Sequence, residues 1–252
     1  MIQKSAQTGI VPISSTSNQD SASNLSSAQR AYDEIKWMAI TYQFRPGERI
    51  NEVELAKKLN VSRTPVREAL SRLVIEGFLT SRQNKGFYRR SLDAEQIMNL
   101  YELRCALEQQ IVRLVCQRAS VEEIRDLENF VKGTREEVED ERRAVELLRL
   151  DEEFHIRLAH LTKNNEIVRI LEHVNSRIHF VRWIDAKARR AGLENHLALI
   201  KLLKKRDAEG CASLIASHIS RRHDQIAEII RNSIIEIYTE TPQESLPRSR
   251  RE

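Results

Sequence analysis

Four side chains in the second half of the chain are of types that bind transition metals. Asp151 and His155 are four residues apart, which places them on one face of a helix, and His196 and His218 lie on two later helical segments. One carboxylate and three imidazoles from three helices favour a site for a divalent transition metal such as zinc, nickel or manganese, with positions left for water or a ligand. Spacing alone leaves other interpretations open: an Asp151–His155 surface hydrogen bond, and a polar N-terminal position for His196.

Residues 61–77, VSRTPVREALSRLVIEG, are suited to base recognition. Thr64 and Pro65 can open a helix, and Gly77 can close it. Arg63 and Arg67 share a polar stripe of this helix, whereas a different face carries the apolar residues Val66, Ala69, Leu70 and Leu73. One face can therefore pack on a core while the other enters a major groove of DNA. The alternative is an ordinary amphipathic surface helix.

The flanking sequence favours the DNA-reading interpretation. Asn51 can cap a short preceding helix, and residues 60–62 supply a connection of the length that a helix-turn-helix needs. Residues 28–90 contain 13 Lys and Arg against 7 Asp and Glu, whereas residues 91–238 contain 24 against 26. A basic surplus confined to the first segment supports contact with phosphates, although a solvated basic face is also consistent with it.

Composition limits the fold class. The 252 residues are 31% charged and 5% aromatic, and only seven glycines and five prolines argue against a sandwich or barrel. Three scattered cysteines, Cys105, Cys116 and Cys211, are expected to be buried thiols in a reducing cytoplasm. No apolar run approaches the roughly 18 residues of a membrane span, and the start lacks the pattern of a signal peptide. A cytoplasmic protein without a membrane partner is expected.

The chain divides into four predicted segments, and the fold class is mainly α. Within the second segment, residues 78–80 and 87–89 are β-prone runs around a polar turn, which predict a wing. On the first long helix of the third segment, apolar spacing predicts that Leu103 and Leu107 face inward. The segments are a disordered Ser-rich tail (1–27), a winged helix-turn-helix (28–90), an all-helical bundle of six or seven helices (91–238) and a second disordered tail (239–252).

Two blocks of sequence resemble a known family. The motifs FRPGERI, NEVELAKKLNVSRTPVREALSRLVIEGFL and NKGFY look like the winged-helix domain of GntR-family bacterial transcription regulators. The motifs ELRCALE, DEEFHIRLAHLTKNN, ENHLALI and ASHISRRH are similar to the ligand-binding FCD domain of the FadR-like branch. The resemblance covers residues 28–238. It implies a homodimer that binds a short palindromic operator in double-stranded DNA and responds to a small metabolite in the helical domain.

The resemblance assigns DNA contacts to the second helix of the helix-turn-helix. Arg63 and Arg67 match the family's DNA-reading arginines, with Ser62 and Thr64 at matching positions beside them. The chemistry agrees, because arginine can donate two hydrogen bonds to a guanine edge, whereas hydroxyl groups suit phosphates.

The wing matches the family less closely. Gly86 matches the wing-tip glycine, where the absence of a Cβ lets the backbone approach the minor groove. Asn84 and Lys85 stand where many relatives have proline and arginine. Contacts of Lys85 and Gly86 with DNA are therefore expected on a weaker match than the helix contacts.

The same matching assigns residues in the bundle. Asp151, His155, His196 and His218 coincide with the metal ligands of many FCD domains. Arg104 matches the family's anion-anchoring arginine, which implies a small carboxylate metabolite beside the metal; the alternative is a salt bridge to Glu108 four residues on. Surface or supporting roles are expected for the remaining histidines, His160, His173, His179 and His223.

Three functions are consistent with these sequence features. The first is a metabolite-responsive regulator, expected to be a nucleoid-associated repressor controlled by an organic acid. The second is a metal-dependent hydrolase or lyase-like enzyme fused to a DNA-binding domain, since an open metal site can activate water, but the sequence has no obvious general base or nucleophile motif. The third is a dimerisation module in which the polar cluster only stabilises the fold. The resemblance favours the first.

Overall fold

The computed structural model describes residues 17–133, 142–188, 194–220 and 223–239. Within them the chain begins with three helices and a two-stranded sheet: α1 (Ser17–Ile40), α2 (Glu52–Leu59), α3 (Arg63–Ile75), β1 (Leu79–Arg82) and β2 (Gly86–Arg89). Seven more described helices follow: α4 (Ala94–Arg118), α5 (Val121–Gly133), α6 (Arg142–His160), α7 (Asn165–Ala188), α8 (Glu194–Lys204), α9 (Ala208–Ile219) and α10 (His223–Thr239). This is the predicted fold class, a winged helix-turn-helix followed by a helical bundle.

Helix α1 differs from the expectation at its start. It begins at Ser17, inside the segment for which the sequence predicts disorder. Its serines and asparagines are moderate helix formers, and it contains neither glycine nor proline, so no residue in it prevents continuous helix formation. The rest of that segment, residues 1–16, and almost all of the predicted C-terminal tail, residues 240–252, lie outside the described residues.

The helix-turn-helix forms as its local sequence predicts. Asn51 accepts hydrogen bonds from two backbone N–H groups in the first turn of α2, which caps that helix. Asn60 adopts a left-handed conformation with φ 53° and ends α2, and α3 begins after residues 60–62. The inward face of α3 is buried against α1 and consists of Val66, Ala69, Leu70 and Leu73.

The wing is an antiparallel hairpin. Leu79 pairs with Arg89, and Arg82 pairs with Gly86. The strands are shifted slightly from the predicted runs. The buried Phe78 precedes β1, and β1 continues to Arg82. Asn84 and Gly86 have φ values of 58° and 86°, so the tight turn depends on residues that tolerate left-handed backbone.

One carboxylate joins the end of α3 to α1. Glu76 accepts hydrogen bonds from Tyr32 (2.5 Å), Lys36 (2.9 Å) and Arg72 (3.1 Å). Burial is the largest single influence on Glu76 and opposes its ionisation, but the hydrogen bonds and charges of these three partners together hold its pKa below the ordinary value. The guanidinium of Arg72 also lies 3.8 Å from the centre of the Tyr32 ring.

Glu76→Gln is expected to destabilise the protein by about 1.5–3 kcal/mol at pH 7, the range for hydrogen bonds to charged groups. Because the folded pKa is lowered, this contribution is present above the unfolded value near 4.5 and is lost as the pH falls through the folded value. Urea unfolding at pH 7 and pH 3, followed by circular dichroism, measures the difference. Equal destabilisation by Glu76→Gln at both pH values would contradict an ionic origin of this stabilisation. Glu68→Gln is the control, because Glu68 is exposed on α3.

The bundle has its own apolar core, to which each of α4 to α10 contributes. Helix α4 packs along α9, and α6 packs along α7. Cys116 and Cys211 are buried in this core as expected, with their sulfur atoms 4.0 Å apart, whereas Cys105 is only half-buried because it lies at the edge of the inward face of α4.

No helix in the described part of the chain is both long enough and apolar enough to cross a membrane.

Candidate nucleic-acid interface and metal centre

The outward face of α3 presents the residues predicted to contact DNA. Arg63, Thr64 and Arg67 are exposed and line a shallow concave surface that continues to Ser71. Neither arginine forms an ion pair within the described residues, so both guanidinium groups are available to another molecule. Ser62 precedes the helix, and its side chain makes no capping hydrogen bond. The arginine and hydroxyl groups thus lie together on one open face.

The wing places Lys85 and Gly86 at the end of the hairpin. Lys85 is exposed, and Gly86 is half-buried at the start of β2. A Cβ at Gly86 would have ordinary van der Waals space, with the Arg49 guanidinium 3.8 Å away. The positive φ of Gly86, rather than crowding, is therefore the physical reason for glycine in the folded wing.

The four predicted metal ligands converge in the bundle. Asp151 and His155 come from α6, His196 from α8 and His218 from α9. Their candidate ligand atoms all lie within 4.8 Å of one another. Asp151 Oδ1 is 3.1 Å from His196 Nε2, 3.5 Å from His218 Nε2 and 3.6 Å from His155 Nε2. Three helices thus direct one oxygen and three imidazole nitrogens to a common point.

This arrangement fits a metal ion. Ligand atoms held about 2.1 Å from a metal are separated by roughly 3.0–3.4 Å at octahedral or tetrahedral angles, close to the 3.1–3.6 Å between Asp151 Oδ1 and the three imidazole nitrogens. Nε2 of His155 and Nε2 of His196 are buried, and although Asp151 Oδ1 lies near both, neither nitrogen has the geometry of a hydrogen bond within the described residues. Buried polar atoms without a partner are rare and costly, and coordination would satisfy both nitrogens.

A buried ion network contacts His155 on the Nδ1 side of its ring. Nδ1 of His155 bonds to Glu108, and Arg104 Nε donates to the same carboxylate at 2.6 Å. Burial is the strongest influence and opposes ionisation, yet Arg104 and His155 together lower the pKa of Glu108 to about 2. A carboxylate that accepts from Nδ1 fixes the ring so that Nε2 faces the metal position.

The surroundings of Asp151, His196 and His155 shift the pKa values of these ligands in different directions. Burial would raise the pKa of Asp151, but the neighbouring imidazoles, His155 first, hold it well below its usual value. Burial lowers the pKa of His196, which favours the neutral, metal-binding ring. Burial also acts to lower the pKa of His155, but the charges of Glu108 and Asp151 outweigh it and raise that pKa.

Glu108→Gln is expected to reduce metal affinity about 10–100-fold, because the amide is a weaker acceptor for His155 Nδ1. Competition with a chromophoric chelator measures the affinity, and circular dichroism checks folding. Glu102→Gln, exposed on the same helix, is the matched control. Unchanged affinity in Glu108→Gln would show that this carboxylate does not tune the site.

Arg104 forms the salt bridge that the sequence offered as one alternative. Both Arg104 and Glu108 are buried, and they lie in the inward stripe of α4. The Nη2 group of Arg104 is buried without a hydrogen-bond partner in the described residues. The guanidinium thus orients Glu108 and retains one unused donor group.

The other histidines have varied roles. His160 is exposed, and His173 is half-buried in an edge-to-face contact with Phe78, with ring centres 6.2 Å apart. His179 is buried and bonds to Glu152, which is not one of the proposed ligands. The side chain of His223 lies outside the described residues.

Two residues that contact the proposed ligands were not predicted from the sequence. Arg182 bonds to Asp151, and Asn195 lies 3.4 Å from Nδ1 of His218. Arg182 stands one turn after the inward-facing Ile178, so its position in an apolar stripe is the signal that could have indicated burial.

Comparison with known proteins identifies the chain. Residues 27–88 match the bacterial regulatory proteins of the gntR family, and residues 99–221 match the FCD domain. Over 202 residues the chain is 52% identical to the Nta operon transcriptional regulator of Aminobacter aminovorans, covering 80% of this chain and 95% of that protein. The chain belongs to the GntR family. Its FCD domain places it in the FadR-like branch.

Other relatives of this GntR regulator agree. The HTH-type transcriptional regulator YdhC of Bacillus subtilis is 33% identical over 203 residues, which cover 79% of this chain and 90% of YdhC. The solved structure of E. coli McbR/YncC shares the fold, with a TM-score of 0.59, 21% identity and coverage of 84% of this chain and 97% of that one. The family and these names identify a DNA-binding transcription regulator rather than an enzyme.

Proposed function

We propose that this GntR regulator binds a palindromic operator as a homodimer and acts as a repressor under the control of a small organic acid. The acid binds beside a divalent transition metal held by Asp151, His155, His196 and His218. The observation that carries this proposal is the convergence of one carboxylate oxygen and three imidazole nitrogens at ligand-like separations inside the helical domain.

The bundle supplies two kinds of group to the acid. A divalent metal at the cluster offers open coordination positions to a carboxylate oxygen. Arg104 lies close enough to Asp151 for their charges to stabilise each other, and its Nη2 group is a buried donor without a partner in the described residues. A carboxylate bound near both groups would have its charge neutralised by the metal and by the buried guanidinium.

The winged domain supplies the DNA contacts. Arg63 and Arg67 donate to guanine edges in the major groove, while Ser62 and Thr64 contact phosphates. Lys85 and Gly86 bring the wing to the neighbouring backbone. In a dimer the two α3 helices must lie at a fixed spacing to enter both half-sites of a palindrome.

Control requires a difference between two states of the dimer. A bound acid changes operator affinity only to the extent that it binds one arrangement of the bundle more tightly than the other. The metal cluster uses three different helices, so a ligand there senses their relative positions.

Thermal shift tests the site directly. Protein stripped of metal is titrated with zinc, nickel or manganese, each with and without a panel of mono-, di- and hydroxycarboxylic acids. A ligand at 100 times its Kd adds about 2.7 kcal/mol, which corresponds to roughly 5–10 °C for a chain of this size. The expected result is stabilisation by metal and further stabilisation by one acid class only when metal is present. If no metal raises the Tm, the cluster serves the fold alone and the proposal fails.

A further inference from the structure

Helix α7 lies between the candidate metal centre and the winged domain. On one side, Phe180 packs against Tyr42 with ring centres 4.9 Å apart, and His173 meets Phe78. On the other side, α7 packs along α6, which carries two of the four proposed metal ligands. A displacement of α7 would therefore reach both parts of the molecule.

A continuous series of polar contacts runs along the interface between α6 and α7. Asp151 Oδ2 accepts from Arg182 Nη2, and Arg182 Nη1 donates to Glu152 at 2.9 Å. The same Glu152 oxygen lies 3.1 Å from His179 Nδ1. Arg182 and His179 are both buried, so bulk water does not screen these charges strongly.

The series ends on the DNA-binding domain. The ring of His179 lies 5.9 Å from the ring of Trp37 in α1, at an angle of 58°. Trp37 also packs against the apolar core of the bundle. Helix α1 in turn packs on α3, whose opposite face carries Arg63 and Arg67. Only α1 and α3 thus separate the end of the polar series from the proposed base contacts.

Arg182 can respond to a cation at the cluster because two carboxylates share it. Asp151 directs Oδ1 to the three imidazoles and Oδ2 to Arg182. A cation among the imidazoles offsets the charge of Asp151 and repels the guanidinium of Arg182. The ion pair of Arg182 with Asp151 is thereby weakened relative to its ion pair with Glu152. Since Glu152 also holds His179, a change at Glu152 moves the ring that touches Trp37.

We propose that Arg182, Glu152 and His179 are positioning residues that couple occupancy of the metal site to the seating of Trp37, and hence of α1, on the bundle. This inference rests on the proposed function and deepens it by naming the route of regulation. The contacts through Phe180 and His173 hold the domains together, whereas the Arg182–Glu152–His179 series carries the response.

Fluorine NMR of 5-fluorotryptophan protein tests this coupling. The chain has two tryptophans, and Trp183→Phe assigns the Trp37 resonance. Zinc added to metal-free protein is expected to shift that resonance. His179→Phe keeps an aromatic ring beside Trp37 but removes the bond to Glu152, so most of the zinc-induced shift should disappear while zinc still binds. Glu152→Gln, which removes the charge with little change of shape, should also reduce the response.

His173→Phe is the matched control, because it changes another α7 histidine at the domain boundary that lies outside the series. It should keep the full zinc response. A full response in His179→Phe, or zinc binding to the unsubstituted protein without any change at Trp37, would overturn the coupling and leave the proposed metal site intact. If zinc, nickel and manganese all failed to bind, the metal site would be overturned and, with it, this inference.

Discussion

Replacing Arg63 or Arg67 with alanine is expected to abolish most sequence-specific operator binding. Each bidentate arginine–guanine contact contributes about 1–3 kcal/mol, and a dimer loses the contact in both half-sites, so about 2–6 kcal/mol is expected. Both guanidinium groups are exposed and form no ion pair within the described residues, so truncation removes a contact with DNA rather than a support of the fold.

Fluorescence anisotropy at fixed salt, with an operator enriched from random duplexes, measures this effect. Arg72→Ala is the matched control, because Arg72 stacks on Tyr32 and bonds to Glu76. It should reduce stability more than base discrimination. If Arg63→Ala and Arg67→Ala retained the affinity and base preference of the unsubstituted protein, α3 would not be the reading helix.

Removing one metal ligand is the second change with a large expected effect. His218 is the least buried of the three imidazoles, with 19% of its side chain exposed, so His218→Ala should leave the fold of the metal-free protein nearly unchanged. Metal affinity should fall by more than the roughly 10–100-fold expected for the supporting residue Glu108, because a direct ligand is lost. Stabilisation by metal and by acid should disappear together.

Metal content after dialysis, measured by mass spectrometry, and calorimetric titration test this loss. His160→Ala is the control, because His160 is exposed and lies outside the cluster. Unchanged metal content and unchanged acid response in His218→Ala would remove that imidazole from the site.

The winged domain follows closely from local sequence. The spacing in α3 predicts a buried face of Val66, Ala69, Leu70 and Leu73, and all four are buried. Turn and cap residues such as Asn51 and Asn60 act within a few positions of themselves, so their effects can be predicted without tertiary information.

In the bundle, the spacing of apolar residues does not predict the buried face of α4 correctly. Apolar periodicity predicts Leu103 on the inward face of α4, but Leu103 is 48% exposed, and the buried stripe runs through Arg104 and Glu108. A charged pair can occupy an interior when each charge neutralises the other and a third group, here His155, satisfies the remaining oxygen. Hydrophobic spacing contains no information about such a network.

The candidate metal centre was only partly predictable from its residues. The spacing of Asp151 and His155 places both on one face of α6, but nothing in the sequence alone brings His196 and His218 to the same point, and family resemblance supplied them. The contacts of Arg182 and His179 depend on how α6 and α7 pack, so they emerge only in three dimensions.

Operator affinity measured in three states tests the central claim most directly: metal-free protein, metal-loaded protein, and metal-loaded protein with the acid found by thermal shift. The acid is expected to change the affinity of metal-loaded protein by about 5–150-fold, the usual range of coupling between sites, and to have no effect in His218→Ala. The same operator affinity in all three states, with metal and acid demonstrably bound, would contradict a regulator controlled through its metal centre.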